Sequence, residues 1–384
     1  MDFDLPEEHI ALRKTVGAIA DRFGPDYYTS RAEARQPTPE LWAELGAHGC
    51  IGINLPEDVG GGGAGLTELA IVCEESAAHG TPLLLLLVSS AISGEVIATY
   101  GSPEQRARWL PRLASGEGKM VFAITEPDAG SNTHNLSTTA SRDEDGYVLR
   151  GQKYFISGVD EADAILVVAR TGTDASTGRA QLSLFIVDTD APGLVVQPLS
   201  VSIPLPEKQF TLFLDDVRVG ADRLIGTEGQ GFKQVFQGLN PERITGAALC
   251  VGLGRYALQK AAAYASTREV WGQPIGAHQG VSHALAKAKI EVELAALMTS
   301  KAAWLHDHDL PAGEASNMAK YAAAEAALAA LDAAIQCHGG NGVTTEYGLM
   351  PYWGLARLLR IAPVNREMVL NFVAQHSLGL PRSY

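Results

Sequence analysis

The hydrophobic pattern of the chain changes its period twice, and this order constrains the fold more than any other feature. Up to about residue 118, apolar residues recur at helical spacing. From Met120 to Leu214 the sequence reads as short β-rich runs, separated by turn pairs such as Asp145-Gly146. From Phe232 onward, long Ala-rich helical patterns return. Helical, β-rich and helical regions are therefore predicted in that order.

The predicted fold class is α+β with several domains, because 384 residues exceed one typical core. We expect an N-terminal α-helical domain over residues 1–118, a middle β-barrel domain over 119–228 and a C-terminal four-helix bundle over 229–384. The strand spacing of the middle region is typical of a small barrel or sandwich. In the last region, helices are predicted over Pro241–Ser266, Gly280–His306, Gly313–His338, Tyr352–Ile361 and Pro363–Gln375.

The charge balance argues against nucleic acid as a partner. The net charge is -14, and no cluster of Lys and Arg stands out that would neutralise phosphates. An anionic ligand must therefore be met by local positive charge, since the overall field of the protein is negative.

Other compositional features favour a cytoplasmic protein without a membrane span or a metal site. The four cysteines lack CxxC spacing and lie in apolar helical contexts, which is typical of free thiols in a reducing compartment. The first residues carry acids where a signal peptide would carry basic residues. The longest apolar run is shorter than the roughly 20 residues that a membrane span requires. The ten histidines show no metal-ligand spacing.

Two stretches of the β-rich region are suited to an anionic, flat ligand. Phe122–Ser131 runs from a predicted strand into small residues, where backbone N–H groups can approach phosphate. In Leu149–Ser157, Phe155 and Ser157 are two residues apart and therefore share one face of a strand. An aromatic plane beside a hydroxyl suits a heteroaromatic ring. The glycine-rich Pro56–Gly65, by contrast, lacks the Lys-Ser/Thr of a P-loop and is interpreted as a connecting loop.

These stretches and the domain order resemble the acyl-CoA dehydrogenase family, from about Leu5 to the C-terminus. The resemblance implies an FAD cofactor held by the two stretches. Phe155 replaces the Trp usual beside the flavin, and Asn132 replaces an Asp. The residues matched to the flavin site are Phe122, Ile124, Thr125, Gly130, Ser131, Phe155 and Ser157.

In this family each flavin is shared between two subunits, and C-terminal segments here resemble the neighbour's contribution. A homodimer or homotetramer is therefore implied. Arg268 would give the bidentate recognition that a diphosphate favours. The residues matched to this part of the cofactor site are Arg268, Trp271, Gln279, Gln336, Gly339 and Gly340, while Asn365 and Glu367 match a further region that contacts FAD.

The resemblance also implies a carboxylate that removes an α-proton from an acyl thioester. Many members carry this Glu where the present chain has Pro363, which cannot act as a base and has no N–H for the thioester oxygen. Isovaleryl-CoA and long-chain members carry it just before an Arg on a bundle helix. The matching position is Glu242, which we predict as the base; Glu346 and Glu367 are alternatives. Asn240, Arg243 and Ser131 are predicted to bind substrate, and Asn240-Pro241 is predicted to start the helix.

The implied activity is FAD-dependent acyl-CoA dehydrogenation, with electrons passed to an electron-transfer flavoprotein. Alternatives within the fold are a thioester oxidase, a desulfinase-like enzyme or an enzyme acting on an acyl carrier protein. A non-catalytic partner subunit is a further alternative, suggested by Pro363. Acyl chain length and branching are left open.

Overall fold

The computed structural model describes residues 4–176 and 178–382. Its first region is helical, as predicted. The outermost residues of the first and last predicted domains lie outside the described residues, and the domain limits stay predictions. The helices are α1 (Glu7–Ala34), α2 (Pro39–Ala47), α3 (Leu66–Ala78), α4 (Glu95–Tyr100) and α5 (Pro103–Ser115). Pro39 begins α2, where the missing N–H would have no intrahelical partner.

A π-helical segment, Leu86–Gly94, precedes α4 within the region where apolar residues recur at helical spacing. Almost all of its residues are buried. The Ser89 hydroxyl accepts a hydrogen bond from the Met120 amide at 3.2 Å, which joins the segment to the start of the sheet. On its other side, a Cβ added at Gly238 would lie 2.8 Å from Ile92 Cγ2. Widened helical turns often occur at functional sites, and this one packs against the helix that carries Glu242.

The middle region forms one sheet around the buried strand β4. The strands are β1 (Met120–Ala123), β2 (Thr139–Arg142), β3 (Gly146–Ser157), β4 (Ala164–Thr173), β5 (Ala180–Asp188), β6 (Leu194–Leu199), β7 (Gln209–Gly220) and β8 (Leu224–Ile225). The hydrogen-bonded order is β6-β7-β3-β2-β4-β5-β8, and β1 pairs in parallel with β4. The register of β3 with β7 is irregular next to Phe155.

The last region is a bundle in which α6 is the central helix. Its elements are α6 (Gly231–Thr267), β9 (Glu269–Val270), β10 (Gln273–Pro274), α7 (Gln279–Asp307), α8 (Gly313–His338), α9 (Leu349–Ile361) and α10 (Arg366–Phe372), followed by a π-helical turn at Val373–Ser377. A Cβ at Gly252 would lie 2.2 Å from the Glu74 carbonyl of α3. The absence of a side chain therefore allows backbone contact, which offsets the cost of about 1 kcal/mol for Gly inside a helix.

Two predicted helix starts are wrong. The helix α6 begins at Gly231 and contains Pro241, although a proline is more usual at a helix start than inside one. Burial of the preceding turn against the Leu86–Gly94 segment stabilises helix there, which local propensity does not reveal. The last predicted helix begins at Arg366, because the Asn365 side chain caps it by accepting a hydrogen bond from the Met368 amide at 2.8 Å.

The glycine-rich stretch is a connecting loop, as predicted. The amides of Gly61, Gly62 and Gly63 donate to the carbonyls of Pro56, Gly52 and Leu55, respectively. These three N–H groups are therefore used within the loop.

The predictions made from composition concerned the cysteines, membrane spans and metal sites, and each can be compared with the structure. The four cysteines are free; Cys50, Cys73 and Cys250 are buried and Cys337 is half-buried. In the described part of the chain, no helix has the length and apolar character of a membrane span. Across the same residues, no group of three or more His, Cys, Asp or Glu side chains could hold a metal ion. The cytoplasmic location stays a prediction.

Candidate active site

A buried ion pair organises the loop that follows β1. Lys153 Nζ, whose residue is 0 % exposed, lies 2.8 Å from Glu126 Oε1 and also donates to the Ile124 carbonyl at 3.1 Å. Glu126 further accepts the amides of Ser137 and Thr138. Burial raises the pKa of Glu126, but Lys153 and the hydrogen bonds lower it more strongly, so that its pKa lies well below the usual range. The pair fixes the ends of the loop that contains Gly130 and Ser131.

The predicted flavin residues surround an open face of the sheet. Phe155 is 52 % exposed and has a left-handed backbone (φ 58°), whereas its neighbour Ile156 is buried. Ser157 is partly exposed and exchanges hydrogen bonds with Gln209, which was not among the predicted residues. The register of β3 is irregular between Lys153 and Ile156, so the regular alternation that predicted a shared face for Phe155 and Ser157 does not hold through this part of the strand. A Cβ at Gly130 would meet no atom within 4 Å. Phe122 is buried beneath this face, while Ile124 and Thr125 are partly exposed at its edge.

Two contacts connect this loop to the bundle. Asn365 Nδ2 donates to Ser131 Oγ at 2.7 Å, which brings a predicted cofactor residue of the bundle to the β1 loop. His134 stacks on Phe232 of α6 at a centroid distance of 5.0 Å. The loop is therefore in contact with the turn before α10 and with the first turn of α6.

Glu242 lies in the interior of α6, beyond these contacts. Its residue is partly buried, and no hydrogen bond or ion pair from residues 4–176 or 178–382 reaches its carboxylate. Burial raises the pKa of Glu242 to about 7, and the positive charges of Arg243 and Lys320 moderate the increase. Such a pKa is suited to a general base near neutral pH. The alternative bases, Glu346 and Glu367, are both exposed.

The predicted substrate residues beside Glu242 form a small group on α6. Arg243 Nη1 donates to Asn240 Oδ1 at 2.8 Å, so Asn240 acts within the helix and not as its N-cap. The Arg243 guanidinium lies 5.9 Å from the Phe236 ring centroid, and its Nε is buried without a partner among the described residues. The group presents a cation next to the carboxylate.

The turn between α9 and α10 contains Pro363 and is held by α8. Lys320 Nζ donates to the Arg360 carbonyl at 3.2 Å and to the Val364 carbonyl. The Ala362 amide donates to the Leu358 carbonyl at 2.9 Å, whereas Pro363 has no N–H. Lys320 therefore contacts the turn from one side. On the other side, the hydrogen bond from Asn365 to Ser131 connects the turn to the β1 loop.

The remaining predicted cofactor residues form a distal group at the other end of α6. They are all exposed, and Trp271 is 89 % exposed. Glu242 and Thr267 are 25 residues apart on α6, which at the helical rise is about 38 Å. The structure therefore does not bring the distal group to Glu242 within one chain. Its members are Arg268, Trp271, Gln279, Gln336, Gly339 and Gly340. Glu367 lies in the first turn of α10, next to Asn365.

Sequence reasoning missed Glu126, Lys153, Gln209 and Lys320, which act through long-range contacts. Each is polar and buried. A buried polar residue can be recognised from the sequence only after the strand or helix that contains it has been assigned. Lys320 interrupts an apolar run of α8, which is the signal that could have been used.

Three family profiles match the chain in succession. They are described as the acyl-CoA dehydrogenase N-terminal domain (residues 6–117), middle domain (121–217) and C-terminal domain (229–378). The chain belongs to the acyl-CoA dehydrogenase family. Acyl-CoA dehydrogenase FadE12 of Mycobacterium tuberculosis (strain ATCC 25618 / H37Rv) is 57% identical over 380 residues, covering 98% of both chains.

Solved acyl-CoA dehydrogenases have the same fold. A glutaryl-coenzyme A dehydrogenase in complex with glutaryl-CoA matches with a TM-score of 0.94 and 31% identity, covering 100% of this chain and 98% of the other. A glutaryl-CoA dehydrogenase from Mycobacterium smegmatis in complex with FADH2 matches with a TM-score of 0.91 and 26% identity, covering 99% and 96%. The predicted family and fold class are confirmed, and the chain is an oxidoreductase of the acyl-CoA dehydrogenase family.

Proposed function

We propose that this acyl-CoA dehydrogenase binds FAD, forms the α,β double bond of an acyl-CoA thioester and passes the electrons to an electron-transfer flavoprotein. The carboxylate of Glu242 carries the proposal. It is partly buried, it has no protein partner in the described residues, and its pKa of about 7 places it between protonated and ionised near neutral pH. A structural carboxylate, such as Glu126, is instead surrounded by donors.

The residues around Glu242 have distinct roles in this proposal. Glu242 accepts the proton from the α-carbon, and its burial keeps water from competing for the carboxylate. Arg243, oriented by Asn240, provides positive charge beside the CoA thioester. The Ser131 hydroxyl lies at the junction of the β1 loop and the Pro363 turn, where substrate meets cofactor. Bound FAD would supply the acceptor for the hydride of the β C–H bond.

The sheet face fits a flavin. Phe155 presents an exposed aromatic plane, Gly130 leaves space that a side chain would fill, and Ser157 supplies a hydroxyl two residues further along β3. The FADH2 complex of the Mycobacterium smegmatis relative supports FAD as the cofactor. Phe122, Ile124 and Thr125 would line the flavin from the strand side, in agreement with their positions in and after β1.

A second copy of the chain would complete the cofactor site. The distal group lies about 38 Å along α6 from Glu242, so we infer that it serves a flavin held by a neighbour. An apolar stripe on α7, with Ile290, Leu294, Leu297 and Trp304 all at least half exposed, is suited to cover such an interface. A homodimer, or a homotetramer built from it, follows.

The thioester oxygen requires a donor other than residue 363. Pro363 has none, and the Ala362 amide is used by α9. The next amide along the turn, that of Val364, has no acceptor within the described residues. We propose Val364 N–H as the protein donor for the oxygen, since losing one such donor outright can cost on the order of 10²-fold in rate.

Anaerobic titration with straight-chain and branched acyl-CoAs tests the function. We expect the bound-flavin spectrum to bleach with one class of acyl-CoA, and mass spectrometry to detect the enoyl product. Flavin that no acyl-CoA reduces would favour a desulfinase-like enzyme or an acyl-carrier-protein substrate. Rapid reoxidation of the reduced flavin by O₂ would favour an oxidase. Protein that cannot be reconstituted with FAD would favour a non-catalytic partner subunit.

A further inference from the structure

Lys320 is a buried cation that family resemblance did not single out. The residue is 2 % exposed and lies in the middle of α8, among alanines. Its amine donates to the carbonyls of Arg360 and Val364, which flank the turn that carries Pro363. An apolar side chain of similar length would fill this position without the desolvation cost of a charge. The charge therefore requires an explanation beyond packing.

The two hydrogen bonds from Lys320 to backbone carbonyls fix the Pro363 turn against α8. The turn is also connected to α8 by the ion pair between Arg360 Nε and Glu325 Oε1 at 2.6 Å. Its far side is joined to the β1 loop by the bond from Asn365 to Ser131. Lys320 thus sets the position of a short segment that separates α8 from the flavin face.

The charge of Lys320 also acts on the proposed base. The charged and titratable groups that act on it are Glu242, Arg243 and Cys250 of α6 and Glu325 of α8. The side chains of Arg360 (α9) and Arg366 (α10) in turn pair with Glu325. Burial lowers the pKa of Lys320 to about 8, and Cys250, Glu242 and Glu325 counteract this effect. Lys320 is therefore largely charged at neutral pH. Its charge in turn lowers the pKa of Glu242, which burial has raised.

We propose that Lys320 is a positioning residue for α-proton removal: it holds the Pro363 turn through two carbonyls and provides the buried positive charge that favours the ionised form of Glu242. The inference rests on the proposed role of Glu242. It adds a residue that acts through the turn and the base.

Lys320→Met and Lys320→Gln separate these two actions. Met removes both the donors and the charge, whereas Gln keeps an amide donor for the turn. For both variants we expect the acid limb of the flavin-reduction rate to move to higher pH by on the order of one unit, which is about tenfold in rate at pH 6. Only Met should also raise KM, because the turn is released. Lys119→Met, which removes a cation paired with Glu161, is the control. It should leave the acid limb of the flavin-reduction rate at the wild-type pH.

A second readout does not depend on turnover. The infrared carboxyl band that is present in the wild-type protein and absent from Glu242→Gln reports protonation of Glu242 directly during a pH titration. We expect Lys320→Gln to shift this titration upward even if no acyl-CoA reduces the flavin, so failure of the proposed reaction is distinguishable from failure of this inference. An unmoved infrared titration in a folded Lys320 variant would overturn the proposal and leave Lys320 as a packing residue.

Discussion

The two ends of α6 differ in how far one chain completes its site. At the Glu242 end, contacts run without interruption from the β1 loop through Asn365 and the Pro363 turn to Lys320. At the Arg268 end, the matched residues lie exposed, and Trp271 is almost fully accessible. Both ends carry residues that resemble cofactor contacts, yet only one is enclosed by its own chain.

This difference indicates a division of tasks between chemistry and binding. At the enclosed end, the turn and the side chains around Glu242 are held by contacts within the chain, although the Glu242 carboxylate itself has no protein partner among the described residues. The residues of the open end gain their partners from association, so their contribution depends on a second copy of the chain. The comparison predicts that substitutions at the two ends affect different measurements.

Glu242→Gln should produce the largest change and affects the enclosed end alone. We expect flavin reduction by acyl-CoA to fall by about 10²-fold to 10⁴-fold, the contribution typical of a general base, while FAD stays bound. Stopped-flow absorbance under anaerobic conditions measures the rate. Glu346→Gln, at an alternative base, should retain the rate; if instead this variant is the inactive one, the assignment of the base is wrong.

Lys153→Met should cause the next largest effect, through the framework of the flavin loop. Removing the cation leaves Glu126 as a buried carboxylate without its ion-pair partner, so we expect a loss of about 3–5 kcal/mol in the free energy of unfolding. Chemical denaturation measures the change. The double variant Lys153→Met with Glu126→Gln should be less destabilised than Lys153→Met alone. Equal stability of the two variants would show that the pair does not organise this loop.

Arg268→Met addresses the open end. The loss of charge-assisted hydrogen bonds worth about 1.5–3 kcal/mol should weaken FAD binding by roughly 10-fold to 150-fold, while the rate at saturating FAD is largely kept. Fluorescence titration of the apoprotein with FAD gives the affinity. Arg218→Met, which removes an exposed Arg paired with Asp143 on the sheet, is the matched control. Unchanged FAD affinity in Arg268→Met would remove this residue from the cofactor site.

The pH dependence should be the smallest effect. Because burial raises the pKa of Glu242 to about 7, the base is protonated below that pH, and the rate should fall about tenfold per unit as the pH is lowered from 7. Rates of flavin reduction between pH 5.5 and 9 measure the profile. An acid limb near the ordinary pKa of a glutamate would contradict the burial of the base that distinguishes the enclosed end.

From the sequence, the residues at the Arg268 end of α6 were predicted by their resemblance to family motifs. Only some of the residues at the Glu242 end were predicted. The order of the three regions follows from hydrophobic period, and Glu242 from its position before Arg243. The start of α6 was missed because local propensity favours a boundary at Pro241, whereas burial against the Leu86–Gly94 segment continues the helix. The contacts of Lys153 and Lys320 connect positions 27 and 40 or more residues apart, which periodicity does not encode.

Mixed oligomers of Glu242→Gln and Arg268→Met subunits test the shared site most directly. If Glu242 of one copy works with Arg268 of the other, a mixed dimer contains one intact site and one doubly altered site. At an FAD concentration where each variant alone is nearly inactive, co-expression in equal amounts should restore about a quarter of the wild-type activity, since about half the dimers are mixed and half their sites are intact. Activity no greater than that of the separate variants would show that each chain completes its own site.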